Sequence, residues 1–384
     1  MNKSDIFWQT YLKLEKELLE VAKYIYVTDE KIINNTSQTY TTQLETFSPH
    51  IADLIIRTCI EIEAISKELY FDFGGTKSRE DKNLFFDEDC LKLIDTKCQT
   101  HKKVVLVSCL SFNLTKEENK AFKPLKEAHK RQGTNWERAY QALKHDRYSS
   151  IYKGTVKNLI HALGALYLLN IYYRDIKLHA KYTEVSNLDF SFGSSIFSIK
   201  NPNQNYVIDV INGKEFDDYL VSDESPYILK YVDSTYKAVI EANKKSIEER
   251  RKYILSQPEL NEYKFNKIVE EGLQKEKENP SERFMFIWEL CKYRLNKRIP
   301  SNLPFETRKQ LFISSNEWNG RIRKINKHLS AEELTPENIQ AEMDSAAIHT
   351  GMELDHQFES TRLHKAFNDG YCELIIDKGD IKYI

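Results

Sequence analysis

Apolar residues recur every three or four positions at the start of the chain, which predicts an amphipathic helix of about five turns. Its apolar positions are Phe7, Tyr11, Leu14, Leu18, Val21 and Ile25. A polar stretch rich in asparagine and threonine follows. Ser48 and Pro49 then have the residue types preferred at a helix N-cap and first helical position. The chain is therefore predicted to continue with a second helix through about Tyr70.

The same periodicity predicts helices at 84–98, 136–147 and 151–179, and a short strand or buried extended segment at 104–107. The helix at 151–179 has an almost continuous apolar face, which must be buried against other helices. Stripes of this kind throughout the first half of the chain favour a helical bundle.

The pattern changes after Thr183. Residues 190–199 and 206–211 predict the two arms of a β-hairpin, with a turn at 201–205 between them. Beyond this region, charged helices are predicted at 232–255 and 262–278, because dense alternating charge is typical of helices that face water on most sides.

An aromatic-rich helix is predicted at 284–295, and a short strand is predicted near the C-terminus at 372–376. These elements predict a mainly α protein with three regions. The regions are a helical bundle at 1–182, an insertion containing the β-hairpin at 183–231, and a mostly helical C-terminal region at 232–384 that regulates or dimerises the bundle.

Composition limits the functions that this chain can have. Basic and acidic side chains number 56 and 58, so the formal charge is -2 and any phosphate contact depends on local patches. The six cysteines are scattered without a CxxC pair, which favours a reducing cytoplasm over a disulfide framework. We find no signal-peptide pattern and no uncharged apolar run of roughly 18 residues, so a cytoplasmic protein without membrane contact is expected.

One local positive patch lies at 116–131, which contains six basic and three acidic side chains. It directly precedes the predicted helix at 136–147. Such a run is either the solvated face of a helix or a contact surface for a negatively charged ligand.

The candidate chemistry lies in the predicted helix at 136–147. Arg138 and His145 are seven positions apart, close to two helical turns, so they share one face. RNA is cleaved without a metal when its 2′-hydroxyl attacks the adjacent phosphate, which requires a base, an acid and positive charge. His145 can move the proton and Arg138 can hold the phosphate. Lys144 and Arg147 can bind the RNA backbone, and Tyr140 and Tyr148 can stack on bases.

This spacing, near the end of one helix and followed by a second long helix, resembles the Arg-x4-6-His signature of the HEPN superfamily. Residues 157–166 are similar to the helix that packs behind the motif in such proteins, and the resemblance covers about the first 180 residues. Ala139 follows the arginine, where active family members commonly have a polar residue. A second pair at a permitted spacing is Arg174 and His179.

The resemblance implies a metal-independent endoribonuclease that acts without a cofactor, with Arg138 and His145 as catalytic residues and RNA as substrate. It also implies a homodimer with sites shared between two protomers, and a role as a toxin, abortive-infection or antiviral-defence effector. A regulatory protein partner is a further expectation.

Other functions remain as alternatives. In the first, the protein is a non-catalytic module that binds protein or RNA, and Arg138 and His145 are structural, with the histidine paired to Asp146 or to a backbone carbonyl. In the second, His349, Glu353 and His356 on one helix face bind a metal such as zinc.

A second basic cluster, beside Trp318, can contact RNA or an acidic partner, or it is a solvated helix face. It comprises Arg321, Arg323, Lys324, Lys327 and His328. Walker and Gly-x-Ser-x-Gly motifs are absent from the sequence, which disfavours nucleotide hydrolysis and serine-hydrolase chemistry.

Overall fold

The computed structural model describes residues 2–30, 42–202, 224–278, 286–319, 330–359 and 362–378. Within these residues the protein is mainly helical and has two small antiparallel sheets of three strands each. The predicted mainly α class is confirmed. None of the helices in these ranges is long and apolar enough to cross a membrane.

The first half of the chain is a set of helices around one core. In chain order they are α1 (Lys3–Val21), α2 (Pro49–Asp72), α3 (Lys92–Cys98), α4 (Glu117–Lys120), α5 (Asn135–His145), α6 (Arg147–Ser150) and α7 (Val156–Arg174). Every residue of α7 from Ala162 to Tyr172 is buried. A helix that is apolar all round belongs in the centre of a bundle, and α7 packs against α1, α2 and α5.

The ends of these helices follow from local side-chain chemistry. The Ser48 hydroxyl accepts a hydrogen bond from the Ile51 N–H, which confirms the predicted N-cap of α2. Helix α7 is shorter than the predicted 151–179. It begins after Thr155, whose hydroxyl accepts from the Asn158 N–H, and it ends where Asp175 adopts a left-handed conformation with φ 46°.

Each sheet joins segments that are distant in sequence. The first has the strand order β2-β1-β4, and the second has the order β3-β6-β5. The strands in chain order are β1 (Val105–Val107), β2 (Ala121–Phe122), β3 (Leu178–Lys181), β4 (Phe197–Ile199), β5 (Tyr227–Tyr231) and β6 (Tyr371–Ile376). The strand predicted near the C-terminus is therefore confirmed, and as β6 it is the central strand of its sheet.

Only the first arm of the predicted β-hairpin lies within the described residues, and its last three residues form a strand. Residues 197–199 form β4, which pairs antiparallel with β1 so that Val105 faces Ile199 and Val107 faces Phe197. The second predicted arm, at 206–211, lies outside the described residues. Ile196 and Phe197 belong to the same core as the bundle helices, so the described start of the 183–231 region packs on the bundle.

The C-terminal region has six described α-helices, and all but the last surround a second core. The helices are α8 (Asp233–Leu255), α9 (Tyr263–Glu278), α10 (Phe286–Arg298), α11 (Phe305–Ile313), α12 (Ile339–Glu359) and α13 (Arg362–Asn368). The side chains buried in this core include Phe265, Leu290, Phe312 and Met343. Because β5 precedes α8 and β6 follows α13, this helical module is inserted between two paired strands of the second sheet.

Candidate active site

Helix α5 carries the predicted catalytic residues, and a capping box fixes where it begins. The Thr134 hydroxyl accepts from the Glu137 N–H, while an oxygen of the Glu137 carboxyl group accepts from the Thr134 N–H at 2.8 Å. Trp136, Tyr140 and Leu143 form the buried face of the helix. The expectation that Tyr140 stacks on a base is therefore wrong, because its ring is 1% exposed. Arg138 and His145 lie outside that face and are exposed.

Arg138 is directed toward the start of its own helix. Its Nη1 donates hydrogen bonds to the carbonyl oxygens of Gln132 at 3.1 Å and Gly133 at 3.0 Å, and its Nη2 donates to the Asn135 side chain. His145 is the last residue of α5, about 10 Å further along the helix axis. The structure therefore exposes both residues on one helix but does not bring the guanidinium to the imidazole within one chain.

His145 lies where α5 gives way to α6. Asp146 is the partner expected if His145 is structural. Its side chain instead accepts a hydrogen bond from the Ser149 N–H and caps α6. The imidazole is exposed, as are the side chains of Lys144 and Arg147 on either side of it. A histidine in this setting can exchange protons with a bound ligand.

Lys144 is connected to the bundle through a tyrosine. Its Nζ donates to the Tyr140 hydroxyl at 3.3 Å, and that hydroxyl donates to the Glu63 carboxylate on α2 at 2.8 Å. Burial, with the hydrogen bond to Glu63, raises the pKa of Tyr140 well above its usual value. The lysine is thereby held beside His145 with its charge near the surface.

Exposed aromatic side chains continue this surface beyond α5. Tyr148 is 94% exposed and Tyr152 is 57% exposed, and the Lys153 Nζ lies 5.9 Å from the Tyr152 ring centroid. Large exposed aromatic rings beside cations are suited to stacking on unpaired bases. We define the α5–α7 surface as the set Lys144, His145, Arg147, Tyr148, Tyr152 and Lys153.

Two residues next to Arg138 are buried. Ala139 is 1% exposed, so the position that follows the arginine does not face solvent. Glu137 is also 1% exposed, and burial raises the pKa of its carboxyl group to about 8 despite the hydrogen bonds from Thr134. The spacing Thr-x-x-Glu in the sequence is the signal that marks Glu137 as a capping residue.

Two other histidines have contacts that do not favour catalysis. Helix α7 ends at Arg174, whose guanidinium lies 4.0 Å from the Trp8 ring centroid, whereas His179 lies in β3 opposite Glu373. The Arg174 and His179 pair therefore does not share a helix.

His161 stacks on Phe122, with ring centroids 4.3 Å apart, and burial lowers the pKa of His161 to about 4. Its imidazole is therefore neutral at physiological pH.

The alternative metal site does not assemble. Among the described residues, no group of three or more histidine, cysteine, aspartate or glutamate side chains is arranged to hold a metal ion. Asp355, which is next to His356, forms an ion pair with Arg250 at 2.8 Å. The basic cluster at 321–328 lies outside the described residues.

Sequence reasoning missed a cluster of two histidines and an aspartate, which tertiary contacts assemble. The Asp95 carboxylate on α3 accepts from the His101 Nδ1 at 2.8 Å, and its other oxygen lies 3.7 Å from the His129 Nδ1. His129 is 28 positions from His101 and further from Asp95, so no helical or strand period relates them. The density of basic residues around His129 was a weak signal of this cluster.

In comparisons with known proteins, no family model, curated protein or solved structure matches this chain.

We expect Arg138→Ala to reduce stability, because the carbonyl oxygens of Gln132 and Gly133 lose their donors. The free energy of unfolding should fall by about 1 kcal/mol, since charged hydrogen bonds at exposed positions contribute modestly. Thermal melting followed by circular dichroism measures the change. Arg147→Ala is the matched control and should change stability by less than about 0.5 kcal/mol. Equal melting temperatures for both variants would show that Arg138 is not bound to the loop in solution.

Proposed function

We propose that this chain is a metal-independent endoribonuclease of the HEPN type. The observation that carries the proposal is His145, an exposed imidazole at the end of α5, with Lys144, Arg147 and Tyr148 beside it. An imidazole supplies acid–base catalysis near neutral pH, and cations around it hold the phosphate. The family proposal rests on the resemblance of the Arg-x6-His spacing, which predicts a long helix after the motif; the buried helix α7 follows α5 after the short α6.

The proposed mechanism begins with binding of a single RNA strand on the α5–α7 surface. Tyr148 and Tyr152 stack on bases, and Lys144 and Arg147 bind phosphates. His145 takes the proton of the 2′-hydroxyl, whose oxygen attacks the adjacent phosphorus and expels the 5′-oxygen of the next nucleotide. The products are a 2′,3′-cyclic phosphate and a 5′-hydroxyl end.

The role of Arg138 depends on a second copy of the chain or on a rearrangement. Within one chain its guanidinium reaches the phosphate only after it leaves the carbonyl oxygens of Gln132 and Gly133. Arg147 is closer to His145 along the chain, so we propose that it contributes the nearer positive charge. In the homodimer that the resemblance implies, two His145 side chains supply the acid and the base.

We expect the purified protein to cleave single-stranded RNA in the presence of EDTA, because no step of this mechanism uses a metal. Denaturing gels follow the cleavage, and mass spectrometry identifies the fragment ends. The 5′ fragments should end in a 2′,3′-cyclic phosphate. Cleavage that stops in EDTA, or fragments with 3′-hydroxyl ends, would contradict the proposal.

A second candidate function is a non-catalytic module that binds protein or RNA. It is favoured by the contacts of Arg138, whose guanidinium is hydrogen-bonded to the loop before α5 and to Asn135. In this case the protein binds its ligand without cleaving it. The cellular role in toxin, abortive-infection or antiviral-defence systems is proposed from the resemblance and applies to the nuclease only.

A further inference from the structure

Two basic segments that are distant in sequence meet beside the start of α5. Residues 92–102 include three lysines and one aspartate, and residues 126–131 include two lysines, one arginine and one glutamate. Each segment therefore has two more cations than carboxylates, and together they have a formal charge of +4 when their histidines are neutral. The whole chain has a formal charge of -2, so this is a local concentration of positive charge.

The Asp95 carboxylate joins the two segments. One of its oxygens accepts from the Thr100 hydroxyl at 3.0 Å, the His101 N–H at 2.7 Å and the His101 Nδ1 at 2.8 Å. The other oxygen faces the His129 Nδ1 in the second segment at 3.7 Å. Both imidazoles are partly exposed. We call residues 92–102 and 126–131 the Asp95–His129 surface.

Arg138 connects this surface to the exposed face of α5. Its guanidinium binds the carbonyl oxygens of Gln132 and Gly133, which directly follow the second segment. Helix α5 has 11 residues and is therefore about 16 Å long. Arg138 is exposed near its start, and Lys144 and His145 are exposed at its end. Basic groups thus lie at both ends of the helix.

We propose that the RNA backbone lies along the exposed face of α5, from the Asp95–His129 surface to His145. This inference rests on the proposed function, because it takes RNA as the ligand. RNA is favoured over an acidic protein since the path ends at the exposed rings of Tyr148 and Tyr152, which are suited to stacking on bases. Contacts with phosphates alone make binding at the Asp95–His129 surface independent of sequence.

The test measures binding separately from cleavage. His145→Ala protein is titrated against a fluorescein-labelled single-stranded RNA, and fluorescence anisotropy gives the Kd at several salt concentrations. In the same background, Lys126→Glu with Arg131→Glu should weaken binding about tenfold or more at low salt and reduce the slope of log Kd against log salt by about 1. Both side chains are exposed, so the melting temperature should not change.

Lys13→Glu with Lys16→Glu is the matched control, because it changes the charge equally at exposed positions of α1. Its Kd should stay close to that of the parent. An unchanged Kd in the Lys126→Glu, Arg131→Glu variant would overturn the inference even if the wild-type protein cleaves RNA. Competition by polyglutamate as strong as by RNA would also overturn it, in favour of an acidic protein partner. Weakened binding with an inert wild-type protein would support the RNA path and contradict the nuclease proposal.

Discussion

His145→Ala is expected to lower the rate of RNA cleavage by about 10²- to 10⁴-fold, the usual contribution of a general acid or base. The imidazole is exposed at the end of α5, so its loss should leave folding intact. Single-turnover cleavage of a labelled RNA, measured beside thermal melting, separates lost chemistry from lost structure.

His349→Ala is the matched control for this experiment. His349 belongs to α12 in the C-terminal module and was a candidate metal ligand in the alternative interpretation of the sequence. Its replacement should leave the cleavage rate unchanged. A cleavage rate that survives in His145→Ala would contradict the catalytic role of His145.

Glu137→Gln is expected to change how stability depends on pH. Burial raises the pKa of this carboxyl group to about 8 in the folded protein, above the ordinary value of 4.5. Between these two values the unfolded chain loses the proton while the folded protein keeps it. The free energy of unfolding of the wild-type protein therefore decreases as the pH rises through this window, by about 1.4 kcal/mol for each pH unit and by about 5 kcal/mol in total.

The glutamine variant lacks this titration. Relative to the wild-type protein it should be similarly stable near pH 5 and more stable near pH 8, as denaturant unfolding at each pH measures. Glu118→Gln is the control, because Glu118 is exposed and its replacement should shift stability little at any pH. Parallel stability curves for the wild-type and Glu137→Gln proteins would show that the carboxyl group ionises in the folded state as freely as in the unfolded chain.

The helices that position the site could be predicted because local chemistry determines them. Ser48 and Pro49 mark the start of α2, and the apolar run after position 151 marks α7. Exact ends were less predictable, since α7 begins after the side-chain cap of Thr155 and ends at the left-handed Asp175. The central place of β6 could not be predicted, because its partners β3 and β5 are remote in sequence.

The sequence by itself determined the mainly helical class and the placement of Arg138 and His145 on one helix, because helical periodicity relates residues that are close along the chain. Tertiary structure decided that Ala139 is buried and that Asp95 and His129 meet. These features depend on contacts between segments that no local period relates, and on the burial that those contacts create.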